Sequence, residues 1–83
     1  MKTSFYFYFQ KEEKDKAEEL EKHLLKQGFA SDLHLLDYDG GQWSLTVEKN
    51  LTNQEELARL DSEFEDYPSK FGGEYDGNEV MVD

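Results

Sequence analysis

Hydrophobic positions alternate at the start of the chain. Phe5, Phe7 and Phe9 are interleaved with Ser4, Tyr6 and Tyr8 across residues 3–9. A period of two in aromatic and β-favouring residues predicts a central strand, with the phenylalanines facing a core and the tyrosines forming an amphipathic opposite face. The period then lengthens. Residues 12–27 are rich in Glu, Lys and Leu, with Ala17, Leu20 and Leu24 on one stripe and Leu25 beside it. This spacing predicts an amphipathic helix. Opposite charges four residues apart, Glu12 with Lys16 and Glu18 with Lys22, would support it, and Gly28 would stop it.

Alternation returns over residues 29–38, where Leu33 and Leu35 would face the core and His34, Leu36 and Tyr38 would face out. Asp39-Gly40-Gly41 reads as a hairpin turn. Residues 42–49 alternate again, placing Trp43, Leu45 and Val47 opposite Ser44, Thr46 and Glu48. Thr52-Asn53-Gln54-Glu55 matches a capping box. It precedes the clearest helical stripe of the chain, Leu57, Leu60, Phe64, Tyr67 and Phe71. Pro68 would kink the last turn or end the regular helix near Tyr67, and Gly72-Gly73 would stop it. A last strand is predicted over residues 74–82, with a bulge or turn at Gly77. The order strand, helix, strand, strand, helix, strand predicts one α+β domain over residues 1–83. Its expected form is a ferredoxin-like βαββαβ sandwich, a four-stranded antiparallel sheet with two helices on one face.

Charge narrows the possible partners. The 83 residues carry 20 acids and 9 Lys or Arg, a formal net charge of −11. The excess is uneven: residues 1–41 contribute −3 and residues 42–83 contribute −8. Such a surface repels nucleic acid and anionic lipid, and it steers toward basic proteins. Without cysteine there can be no disulfide, thiol nucleophile or thiolate zinc site. Met1 to Phe5 leads straight into the aromatic strand with no apolar signal core, and the longest apolar run is too short to span a bilayer. A soluble, cytoplasmic protein is expected.

Little in the sequence suggests catalysis. Asp37-Tyr38-Asp39-Gly40-Gly41 resembles the opening of a calcium loop, but the sixth position is Gln42 and the pattern reads as a polar turn. His23 and His34 have no sequence-local partners at ligand or triad spacing. No pair of carboxylates stands out as a general acid and base. Tyr6 and Tyr8 invite comparison with base-stacking RNA-binding sheets, but the basic residues that such sheets need for phosphate are missing nearby. No cofactor is implied. Two surfaces remain as candidates for binding a protein. Glu63, Glu65 and Asp66 lie on or beside the polar face of the second helix. Tyr6, Tyr8, His34 and Tyr38 would supply aromatic anchors on the open face of the sheet.

The most distinctive segment runs from Tyr67 to Glu79. Its core, Phe71-Gly72-Gly73-Glu74-Tyr75-Asp76-Gly77, resembles the hallmark of the RraB family, regulators that inhibit ribonuclease E. The aromatic first strand and the Ala/Glu/Leu helix ending at Gly28-Phe29 are similar to that family as well. Where the family has Trp after Tyr-Asp-Gly, this chain has Asn78. The resemblance implies a ferredoxin-like fold and a non-enzymatic protein, one that binds the noncatalytic, Arg-rich scaffold region of an endoribonuclease. The motif itself is expected to be structural, with at least one of Gly72 and Gly73 at positive φ and Tyr75 largely buried. Two other roles fit the charge and the fold: an acidic inhibitor or binding module for another basic protein such as a nuclease or toxin, and a small-molecule-sensing or dimerising domain. A monomer or weak homodimer is expected.

Overall fold

The computed structural model describes residues 1–37 and 40–81. Tyr38 and Asp39, and with them the centre of the calcium-like turn and of the hairpin, lie outside the described residues. The elements are β1 (Lys2–Gln10), a 3-10 turn (Lys11–Glu13), α1 (Lys14–Lys26), β2 (Ala30–Leu36), β3 (Gln42–Asn50), α2 (Gln54–Glu65), α3 (Tyr67–Phe71) and β4 (Glu74–Val80). The strands form one antiparallel sheet in the order β2-β3-β1-β4. This is the ferredoxin-like α+β arrangement.

The core lies between the phenylalanine face of β1 and the helices. Phe5, Phe7 and Phe9 are buried together with Leu45 and Val47 of β3, Ala17, Leu20 and Leu24 of α1, and Leu60 and Phe64 of α2. Phe64 meets Phe5 edge-on at a centroid distance of 4.8 Å and Phe7 at 5.3 Å, a favoured aromatic geometry. Two loop residues, Phe29 and Leu51, join the same cluster.

Local detail departs from the sequence reading in several places. The cap of α2 sits one residue later than Thr52. Asn53 Oδ1 accepts from the Glu56 amide at 2.9 Å, and the Glu56 carboxylate accepts from the Thr52 amide at 3.2 Å. Asn is as good a cap as Thr, and the shift by one lets Glu56 rather than Glu55 reach back. In α1, Lys16 pairs with Glu13 at 3.3 Å rather than with Glu12. Leu35 sits on the core face, opposite Trp43, but is 41% exposed because β2 is the edge of the sheet.

The second helix ends at Glu65, earlier than Tyr67, and a five-residue helix restarts at Tyr67. Pro68 lacks the amide that would bond to the Phe64 carbonyl, so the regular ladder cannot continue. A proline is accommodated in the first turn of a helix, where α3 places it. The restart still buries Tyr67, so the apolar stripe survives the break.

Gly72 and Gly73 both adopt positive φ, +84° and +74°, and reverse the chain from α3 into β4. Tyr75 is half-buried rather than largely buried. Its register partner is Phe7, whereas Gly77 pairs with Tyr6, so Asp76 is the extra residue of a β-bulge.

Candidate functional site

The helices cover one face of the sheet, and its other face is formed by the even-numbered positions of β1. Register places side chains in rows across it. Ala30, Glu48, Ser4 and Glu79 form one row; Asp32, Thr46, Tyr6 and Gly77 the next; His34, Ser44, Tyr8 and Glu74 the third. Each tyrosine therefore stands next to a small hydroxyl residue of β3. Gly77 beside Tyr6 adds no side chain to cover that flank of the ring.

Carboxylates rim this aromatic centre. The Tyr6 hydroxyl donates to Glu79 Oε2 at 3.0 Å, and Ser4 Oγ donates to Glu48 Oε1 at 3.3 Å. Burial, and then the Glu79 carboxylate, push the Tyr6 hydroxyl above its ordinary pKa, so it stays a neutral donor. Lys2 reaches Glu48 at 3.8 Å. His34 Nδ1 lies 3.3 Å from Asp32 Oδ2, with both side chains exposed. A shallow hollow of about 150 Å³ lined by Ala30, Ser31, Asp32, Thr46 and Glu48 opens beside the tyrosine rows. It is too open and too small for enclosed chemistry.

The acidic group of α2 lies in the helical layer, across the sheet from the tyrosines. Glu63, Glu65 and Asp66 are all exposed. Glu63 accepts a hydrogen bond from the Tyr67 hydroxyl at 3.2 Å. Burial and the Glu63 carboxylate together push Tyr67 up to about 12. The structure thus brings Tyr6, Tyr8 and His34 together on one surface and keeps Glu63, Glu65 and Asp66 on another. Tyr38 falls outside the described residues.

The two histidines are also apart. His34 is on the open sheet face, while His23 on α1 contacts Tyr67 and Gln27. Among the described residues no group of three or more His, Asp or Glu is arranged to hold a metal ion, and no helix is long and apolar enough to cross a membrane. The motif residues Phe71, Gly72, Gly73, Glu74, Tyr75, Asp76 and Gly77 form the junction between α3 and β4. Tyr75 donates to Asp61 Oδ1 at 2.6 Å, and Glu74 alone of its side chains joins the tyrosine rows.

Sequence reasoning placed Glu48 on the outward side of β3 without assigning it to a site, named Glu74 only as part of the structural motif, and passed over Asp32 and Glu79. In β2 the signal was available, because Asp32 shares parity with His34. In β4 it was hidden, because the bulge at Asp76 changes which residues face out.

Fold and surface together define a small α+β domain whose tyrosine-bearing sheet face is left open by the described residues and is rimmed by carboxylates. The family model described as regulator of ribonuclease activity B, RraB, matches residues 1–80. The chain belongs to that family. No curated protein and no solved structure matches it.

Proposed function

We propose that this protein is a non-enzymatic, cytoplasmic regulator that binds a basic segment of an endoribonuclease, of the kind found in the scaffold region of ribonuclease E, on its open sheet face. Membership of a family of ribonuclease regulators supplies the regulatory role. The observation that carries the binding site is the pairing of Tyr6 and Tyr8 with the carboxylates of Asp32, Glu48, Glu74 and Glu79 on one uncovered surface. An arginine stacks its guanidinium on a tyrosine ring and donates in a fork to a carboxylate, so alternating rings and acids suit an Arg-rich peptide. The net charge of −11 steers such a partner toward the protein and disfavours direct binding to RNA.

The test is cleavage of a ribonuclease E substrate with and without added protein. The scaffold-containing nuclease should be slowed by the wild-type protein and not by the Tyr6→Ser/Tyr8→Ser variant, while a nuclease lacking the scaffold should be unaffected by either. Equal inhibition by wild type and variant would move the site away from the tyrosine face. If Glu63→Gln/Glu65→Gln/Asp66→Asn alone lost inhibition, the acidic end of α2 would be the interface.

A further inference from the structure

The sheet has two edges, and they are built differently. β4 is interrupted by the bulge at Asp76 and carries Glu74, Asp76 and Glu79 within its seven residues. Bulges and charges are the usual means of keeping an edge from pairing. β2 has neither an interruption nor a proline: its seven residues, Ala-Ser-Asp-Leu-His-Leu-Leu, pair with β3 in one continuous register. Its outer backbone groups form a regular template. Apolar surface lies beside it, since Leu35 is 41% and Leu25 50% exposed. The hydrogen bond from Ser31 Oγ to Glu21 at 2.8 Å places the flank of α1 that bears Glu21 and, one turn later, Leu25 over this strand.

We infer that β2 is a self-pairing edge, at which two copies of this chain dock antiparallel about a two-fold axis through Leu33 and join their sheets into one of eight strands. Leu33 is the midpoint of Ala30–Leu36, so this register pairs all seven residues. It sets Asp32 of each copy, which within the chain already lies 3.3 Å from His34 Nδ1, opposite the partner's His34, whose other ring nitrogen, Nε2, can donate to that carboxylate. It also sets Leu33 against its own copy and Leu35 against the partner's Ser31, bringing the exposed Leu35 of each copy into the interface. A two-fold contact needs a self-complementary surface of this kind. Each copy carries −11, so long-range repulsion opposes docking and keeps the dimer weak. Salt relieves that repulsion. Self-association must therefore strengthen with salt, the reverse of what binding to a basic partner does.

Sedimentation equilibrium of the full chain, over a concentration series at about 0.1 M and 1 M salt, tests the sign. The expected result is a shift of the average mass toward twice that of the chain, larger at high salt. His34→Asp, which sets carboxylate against carboxylate, should abolish the shift, and the exchanged variant Asp32→His/His34→Asp should restore it. Register is read separately, using the absence of native cysteine. Paired strands hold a residue on the axis about 4.5–5.5 Å from its copy, within disulfide reach. Leu33→Cys should therefore cross-link to itself under mild oxidation, and Leu36→Cys should not. A single-chain mass at every concentration and salt, together with equal cross-linking of the two cysteine variants, would overturn the inference.

Discussion

Tyr75 of β4 donates a 2.6 Å hydrogen bond to Asp61 on α2, and Asn78 donates to the same oxygen at 2.9 Å. The last strand is thereby tied to the helix through a single carboxylate, and the motif Gly73-Glu74-Tyr75 owes part of its character to that tie. Tyr75→Phe removes one donor but leaves Asn78 in place. The expected cost is about 1–2 kcal/mol, read as a lower denaturation midpoint with an unchanged m-value. A midpoint equal to wild type would show that the bond contributes nothing to the fold.

The core is centred on Phe64, which is fully buried and meets Phe5, Phe7, Phe29, Tyr67 and Tyr75. Phe64→Ala should cost about 3–5 kcal/mol, a large part of the stability of a small domain. Leu60, 6% exposed, should cost less on truncation. Thermal unfolding of the two variants checks the order.

Gly72 and Gly73 differ in what a side chain would meet. A Cβ at Gly73 would come within 2.6 Å of the Tyr8 carbonyl oxygen and 2.7 Å of the Phe9 ring, whereas at Gly72 the nearest atom is the flexible Lys16 side chain at 3.0 Å. Both positions have positive φ, and at Gly72 ψ is −175°, a region left almost wholly to glycine, so alanine costs about 1–3 kcal/mol at either one. Gly73→Ala must in addition displace β1. It should be clearly the more destabilising of the two, by urea denaturation.

Tyr67 sets a pH dependence. Its folded pKa, about 12, lies above the ordinary 10.0, because burial and Glu63 disfavour the phenolate. A raised folded pKa means that the folded state keeps the proton longer than the unfolded chain does. The contribution is therefore complete below pH 10 and is lost as the pH climbs through about 12. Tyr67→Phe should flatten this part of the stability profile relative to wild type, measured by denaturation at a series of alkaline pH values.

Much of the fold was legible because two periods dominate the sequence. The spacing of Phe5, Phe7 and Phe9 and the stripe of Leu60, Phe64 and Tyr67 are set by which side of an element meets the core, and local pattern records that directly. The cap at Asn53 was read one residue early, since Thr52 and Asn53 are both competent and only geometry chooses. Leu35 has the parity of a core residue, yet its exposure depends on β2 being an edge, a property of sheet order. The rim of the tyrosine face was legible in β2 and β3 and hidden in β4. There the bulge at Asp76 puts Glu79 on the open face with Tyr6; Gly77 announced an interruption next to it, but not which residue would be the extra one or which side chains would then face out.

The central claim is that a basic segment docks on the tyrosine face. The most direct test is the association rate of an Arg-rich scaffold peptide of ribonuclease E as salt rises from about 0.1 M, where the Debye length is about 10 Å, to 1 M, where it is about 3 Å. The wild-type rate should fall steeply with salt, because carboxylates at the rim act mainly by steering. Tyr6→Ser/Tyr8→Ser should keep that slope but dissociate much faster, having lost its anchors, and Glu63→Gln/Glu65→Gln/Asp66→Asn should match wild type in dissociation. A tyrosine variant that dissociates no faster than wild type, alongside an acidic-helix variant that no longer binds, would contradict the account.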